Sequence, residues 1–362
     1  SITLGINPTL SPTNSLAIKT RPAYTIKKQY PQKEENMPLI LTRNDVMKVL
    51  EMSDCMEVVE KAFVELANGT AVLPLRIPIT PPDGLSLYMP AYLKELGALA
   101  CKVVTVYKNN PKKHNLPTTI GKVLVQDPAT GDVVCIMDGG YLTAVRTGAV
   151  SGAATKYLAR KNKGQTAGIF GAGVQAKMQL WAVAIARDLA KAYVYDVSAE
   201  AAGQFKSEMS GKLNLEVIVA DSAEQLIKES DIICTATSSP TPIFDGNTVK
   251  EGAHINGIGS HTPNARELDT AIIKRSKFIA DSYEACLKEA GDIMIPIQEG
   301  AIDKSHIHAE LGEIVTGKKP ARADDKEITL FKSNGLAIQD VATAKLIYDK
   351  AIEAKIGVEV DI

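Results

Sequence analysis

The sequence has little that would tie it to an oxidising compartment, a metal, a membrane or a nucleic acid. Its five cysteines, Cys55, Cys101, Cys135, Cys234 and Cys286, are scattered and form no CxxC. Cys101, Cys135 and Cys234 lie in apolar, strand-like runs. There a cysteine acts as a small buried hydrophobe in a reducing compartment, not as half of a disulfide. His306 and His308 have no cysteine or carboxylate at a ligand spacing, so no metal is expected. No apolar run approaches the ~20 residues that span a bilayer. A formal net charge of -1 exerts no global pull on nucleic acid or membrane. The expectation is a cytoplasmic protein with neither as a partner.

What is present suffices for two domains with proper cores, since 45% of 362 residues are hydrophobic. Residues 1–36 differ from the rest. They are rich in Ser, Thr, Pro and Asn, and carry Lys19, Arg21, Lys27, Lys28 and Lys33 before the first acidic residue, Glu34. Lacking an amphipathic Arg-rich helix, they read as an N-terminal extension rather than a transit peptide. From Met37, Thr42-Arg43-Asn44-Asp45 caps a helix, and an amphipathic helix over 54–68 ends at Gly69. Strand patterns follow at 85–91, 97–107, 119–126 and 133–138. The last two flank a hairpin turn at Asp127–Asp132. A long helix over 141–160 leads into a new rhythm. Strands at 166–171, 192–196, 215–219, 231–236, 253–259 and 277–281 are interspersed with helices at 174–189, 198–210 and 222–229. That alternation predicts a doubly wound parallel sheet. After a strand at 328–333, a final helix over 336–353 is expected to return to the first half.

The fold class is therefore α/β: a Rossmann-type parallel sheet plus a second, α+β domain. The expected domains are residues 37–147 with 335–362, and 148–334 for the parallel sheet. Ala167-Gly-Ile-Phe-Gly171-Ala172-Gly173-Val174-Gln175-Ala176 reads as strand, glycine turn and helix start. Gly171 permits the tight turn, Gly173 lets backbone approach a pyrophosphate, and Ala176 is small enough for helix and strand to pack. The helix N-terminus offers free N–H groups to phosphate. Asp196 closes the next strand, where a carboxylate accepts from ribose hydroxyls and repels a 2′-phosphate, which favours NAD over NADP.

Three cations outside this unit stand in apolar surroundings: Arg76, Lys102 and Arg146. A buried cation needs an anion. Either an internal carboxylate or a substrate carboxylate would serve, and Arg offers the latter a bidentate fork.

From Met37 onward the chain resembles the ornithine cyclodeaminase/μ-crystallin family, which includes archaeal alanine dehydrogenase and ketimine reductases. The resemblance is carried by Met89-Pro90-Ala91, Lys102-Val103, Leu116-Pro117-Thr118, Met137-Asp138, Arg146-Thr147-Gly148, the glycine turn, His254–Gly259, Arg266–Asp269, Glu310–Ile314 and Phe331–Asp340. It implies that Arg76, Lys102 and Arg146 hold a substrate carboxylate, with Asn334 beside the substrate. It implies that Thr118, Arg146, Gly171, Ala172, Gly173, Val174, Gln175, Asp196, Thr235 and Ser333 contact the dinucleotide. It also implies a homodimer built on the non-Rossmann domain.

One residue departs from the pattern. Where ornithine cyclodeaminases carry a proton-handling Asp after the fifth strand, this chain has His261. An imidazole does not neutralise a distal ammonium, so ornithine is disfavoured. The expected activity is NAD-dependent hydride transfer at the α-carbon of a small amino or imino acid, of the amino acid dehydrogenase or ketimine reductase type. His261, with a pKa near 6–7, and Lys102 are the candidate proton carriers. The alternatives are ornithine cyclodeamination with NAD recycled, and a non-catalytic dinucleotide-binding protein like μ-crystallin.

Overall fold

The computed structural model describes residues 37–361, in two sheets. The first contains β1 (Leu39–Leu41), β2 (Ala71–Val72), β3 (Ile77–Ile79), β4 (Leu85–Leu93), β5 (Ala98–Val106), β6 (Thr119–Gln126) and β7 (Val133–Asp138). The second contains β8 (Gln165–Phe170), β9 (Leu189–Tyr195), β10 (Glu216–Val219), β11 (Ile232–Thr235), β12 (His254–Gly257), β13 (Ser276–Ala280), β14 (Ile307–Glu310) and β15 (Ile328–Lys332). A last short strand, β16 (Val358–Glu359), returns to β1.

The first sheet runs β16-β1-β7-β6-β5-β4-β2, with β3 also on β4, and is antiparallel except for β1 on β7. Thr42 caps the helix Arg43–Val49: its hydroxyl accepts from Asp45 N at 3.3 Å, and the Asp45 carboxylate accepts from Thr42 N at 3.1 Å. The next helix, Met52–Asn68, stops at Gly69, whose φ of 73° lies in the left-handed region. Alternation in β4 and β5 turns Met89, Ala91 and Leu93, and Ala98, Ala100 and Val104, into the core. Lys102 occupies a position in that apolar series and lies opposite Met89. A charged residue at such a place needs a specific partner.

The second sheet is wholly parallel, in the order β10-β9-β8-β11-β12-β15-β13-β14. The strand order reverses between β8 and β11, and ligands of such sheets bind beyond the carboxyl ends at that point. The helix Gly139–Leu158 passes without a break through residues 147 and 148 and is buried over nearly its whole length, so it serves both halves. The final helix, Ala337–Ala354, packs on the helix Met52–Asn68 and on β4 and β5, returning to the first half as the periodicity indicates.

Most differences from the sequence-based expectation are small shifts of element ends. The elements not foreseen are short: β1, β2, β3, β14, β16, the helix Asn110–Lys113, a 3-10 turn at Gly246–Thr248 and helices between residues 270 and 315. A four-residue strand or a seven-residue helix shows too few periods to stand out. Residues 1–36, expected to form an extension, lie outside the described residues. Among the described residues no helix is long and apolar enough to cross a membrane.

Candidate active site

A cavity of about 350 Å³ lies where β4, β5 and the long helix meet the carboxyl ends of β11, β12 and β15. Leu87, Met89, Val104, Val106 and Ile258 give it an aliphatic wall, and Arg76, Lys102 and Arg146 all line it. Two of these cations share one internal carboxylate. Asp340, at the start of the final helix, is fully buried; Lys102 Nζ lies 2.7 Å from its Oδ2, and Arg146 Nε donates to its Oδ1 at 2.8 Å. Arg146 Nη1 also donates to Gln339 Oε1 at 2.7 Å. Gly335, with φ 85°, lets the chain pass close to this guanidinium: a Cβ there would stand 2.8 Å from Arg146 Nη1. Arg76 is less enclosed than expected. It sits in the loop before β3, partly exposed, and forms a two-pronged ion pair with Glu289 of the helix Tyr283–Glu289. Internal carboxylates thus sit behind all three cations. The three cations line the cavity, while Asp340 and Glu289, which pair with them, are not part of its lining.

Burial pushes the Lys102 ammonium down to about 8, with Asp340 opposing and Arg146 assisting. Lys102 can therefore exchange a proton near neutral pH. His261 also lines the cavity, and its Nδ1 is 3.1 Å from the Gly259 carbonyl. Much of its surface is open, yet the protein crowding the ring lowers its pKa below the ordinary imidazole value, and Lys332 and Arg76 add to this. The expected pKa near 6–7 is corrected downward, so the ring is mostly neutral at physiological pH.

Buried acids not singled out from the sequence shape the strand ends. Glu267 accepts from Thr235 Oγ1 at 2.8 Å, Thr237 N at 2.7 Å, Thr237 Oγ1 at 2.6 Å and Gly259 N at 2.8 Å, tying the ends of β11 and β12 together. The Thr235 side chain is thus fully buried and already engaged. That corrects its expected place against the dinucleotide: the residues reaching the cavity there are Ala236 and Thr237. Asp281 accepts from Asn334 N at 2.6 Å, Gly335 N at 2.9 Å and Ser333 Oγ at 3.3 Å, which fixes the loop after β15. Ser333 and Asn334 line the cavity as a result, and Asn334 Oδ1 has no partner within the protein. Buried Lys332 holds Asp292 at 2.9 Å and donates to the Ser260 carbonyl at 2.5 Å, bracing the turn that carries His261. Glu267, Lys332 and Asp340 all fall within the stretches that carry the family resemblance. Their spacing alone did not say what they hold.

The glycine turn lies between β8 and the helix Val174–Ala186. Gly171 has φ 93° and donates to the Tyr195 carbonyl at 2.9 Å, and a Cβ there would be 2.7 Å from the Ala236 carbonyl oxygen. A Cβ at Gly173 would meet nothing within 4 Å, so the approach to the helix end is open. No side chain caps this helix, leaving its first N–H groups for an anion. Asp196 follows β9 and accepts from Ala172 N and Ser198 N, each at 2.8 Å. Gln175 reaches the cavity, where its Oε1 has no partner. Val174 is exposed beside it. Thr118 stands just before β6, and its neighbour Thr119 lines the cavity. His306 and His308 lie elsewhere, each bound to a backbone carbonyl, and no group of metal-ligating side chains occurs among the described residues.

These features define a class: a two-sheet α/β protein with a glycine turn at an uncapped helix start and, beside it, a cavity lined by three cations. Residues 36–355 match the ornithine cyclodeaminase/mu-crystallin family, and the chain belongs to it. It is 39% identical over 326 residues, 89% of this chain and 99% of the relative, to a Delta(1)-pyrroline-2-carboxylate reductase of Bacillus cereus. It is similar to the Thermococcus litoralis Delta(1)-pyrroline-2-carboxylate reductase solved with NADH and L-proline, at 49% identity and TM-score 0.86, covering 89% of this chain and all of that one (100%). An archaeal alanine dehydrogenase dimer solved with NAD is 37% identical at TM-score 0.85, with 90% of this chain and 99% of that one covered.

Proposed function

We infer that this chain is an NAD(H)-dependent oxidoreductase acting on the C=N or CH–NH group next to a carboxylate, and that a cyclic imino acid such as Δ1-pyrroline-2-carboxylate is its substrate. The observation that carries the reading is a cavity lined by three cations and an aliphatic wall. A substrate carboxylate is the natural partner of the cations, and a hydrocarbon ring suits the wall. The relatives solved with NADH and L-proline and with NAD support the same assignment.

Bound NADH supplies the hydride that goes to the carbon bearing the carboxylate. Arg76, Lys102 and Arg146 hold that carboxylate and so orient the C=N bond. Asn334 Oδ1, an acceptor without a partner among the described residues, accepts a hydrogen bond from the N–H that protonation of the imine creates. Lys102 delivers the proton to nitrogen, and its lowered pKa of about 8 suits that exchange. His261, held to the Gly259 carbonyl and mostly neutral, is the rival donor. Among the described residues no carboxylate lines the cavity, which speaks against a diamino acid and thus against ornithine. The backbone around Gly171–Gln175, with Arg146 and Ser333 nearer the cavity, holds the dinucleotide. Asp196, at the end of β9, would accept from the adenosine ribose hydroxyls and repel a 2′-phosphate, which favours NAD over NADP.

The division of labour belongs to the same proposal: residues 37–147 with 335–362 for substrate and dimer, and 148–334 for the dinucleotide. A homodimer through the first sheet is supported by its apolar margin, where Val72, Leu75, Ile77 and Ile79 are exposed. A cytoplasmic location belongs to the same proposal.

The test is a panel of Δ1-pyrroline-2-carboxylate, pyruvate with ammonia, and ornithine, followed by NADH absorbance and ammonia release. Oxidation of NADH by the cyclic imino acid is expected. Ammonia release from ornithine without net NADH change would instead identify a cyclodeaminase, and NADH binding with no turnover a binding protein.

A further inference from the structure

Among the three cations, Arg76 is the one without a rigid base. Lys102 is set in a strand and Arg146 in a long buried helix, whereas Arg76 projects from the loop between β2 and β3. What holds it is a single side chain from the opposite side of the cleft. Glu289 Oε1 accepts from Arg76 Nε at 2.8 Å, and its Oε2 accepts from Nη2. A guanidinium is a rigid fork of five N–H groups. Gripping its Nε–Nη2 edge leaves the Nη1–Nη2 edge, which is the second edge able to meet a carboxylate with two parallel bonds. Arg76 lines both the larger cavity and a smaller neighbouring one, whereas Glu289 lines only the smaller. The grip is therefore applied from behind, and the free edge is left for the larger cavity.

We propose that Glu289 is the positioning residue of the substrate clamp, turning Arg76 so that its free edge receives the substrate carboxylate. This rests on the reading of Arg76 as a carboxylate ligand. Glu289 touches neither substrate nor cofactor. Its effect is on binding of the imino acid, because a fixed side chain has less freedom to lose when ligand arrives.

The experiment compares wild type with Glu289→Ala, Glu289→Gln, Arg76→Ala and the double variant Arg76→Ala/Glu289→Ala. Steady-state kinetics are measured with Δ1-pyrroline-2-carboxylate and NADH, alongside thermal melts. Glu289→Ala is expected to raise KM for the imino acid about tenfold, with kcat and KM for NADH within about twofold. Glu289→Gln, which keeps one acceptor for Nε–H, should fall between. In the Arg76→Ala background, loss of Glu289 should add nothing, since there is no guanidinium left to orient. An unchanged KM in Glu289→Ala, or an equal rise in the Arg76→Ala background, would overturn the proposal. So would a joint fall of kcat, NADH binding and melting temperature, which marks damage to the fold. If Arg76→Ala itself leaves KM unmoved, the clamp reading of Arg76 fails first and takes this proposal with it.

Discussion

Replacing Asp340 by Asn probes the centre of the site. The carboxylate is fully buried and compensates two cations at once, Lys102 at 2.7 Å and Arg146 at 2.8 Å. An asparagine of the same shape keeps a hydrogen bond and removes the charge. Breaking a buried ion pair by neutralising one partner costs about 3–5 kcal/mol, because the remaining charge stays in a poorly polarisable interior. At about 2 °C per kcal/mol for a chain of this size, the melting temperature should fall by roughly 6–10 °C. Part of that cost is relieved when Lys102 sheds its proton, which predicts a second effect. In the wild type, burial lowers the Lys102 pKa to about 8 and Asp340 opposes the shift. Without Asp340 the pKa falls further. Imine reduction needs the protonated amine, so wild-type kcat/KM should be level below about pH 8 and decline above it. In Asp340→Asn the decline should begin at a lower pH. Amine oxidation needs the neutral amine, so its rise should shift the same way. Melting curves and pH profiles of kcat/KM in both directions read the two effects. An unchanged melting temperature together with an unmoved break in the profile would show that Asp340 does not govern Lys102.

Three further outcomes are expected. Lys102→Ala should lower reductive kcat by about 10²- to 10³-fold while NADH still binds, as measured by fluorescence titration; near-normal turnover would remove Lys102 from the proton path. His261→Ala should change kcat less than about threefold while shifting KM among imino acids of different ring size, in keeping with its lowered pKa; loss of one limb of the pH profile would make His261 the proton carrier instead. Asp196→Ser should narrow the preference of NADH over NADPH in kcat/KM by about tenfold or more, since it removes a charge that repels a 2′-phosphate. A wild type that prefers NADPH would refute the role given to Asp196.

The sequence by itself determined the parts whose causes are local. The glycine turn at Gly171, the capping of the helix at Thr42, the stop at Gly69 and the alternation through β4–β7 depend on a few neighbouring residues, and all appear where the pattern places them. The parallel sheet follows from repeated strand and helix periods long enough to count. Buried Lys332 was not legible, whereas Lys102 and Arg146 were equally legible as buried cations, Lys102 because it breaks an apolar alternation. Their partners were not. Asp340 meets Arg146 from 194 positions away, and Glu289 meets Arg76 across 213. Whether such a cation awaits a ligand or is already satisfied depends on which carboxylate the final helix and the helix Tyr283–Glu289 bring to it. Thr235 shows the same limit: its position at a strand end suggests a ligand contact, while burial against Glu267 turns its hydroxyl inward. Charge balance in an enclosed site is summed over distances of a few ångströms in space, whatever the separation along the chain. Tertiary structure alone decided that three cations would line one cavity while the carboxylates paired with them stay outside its lining.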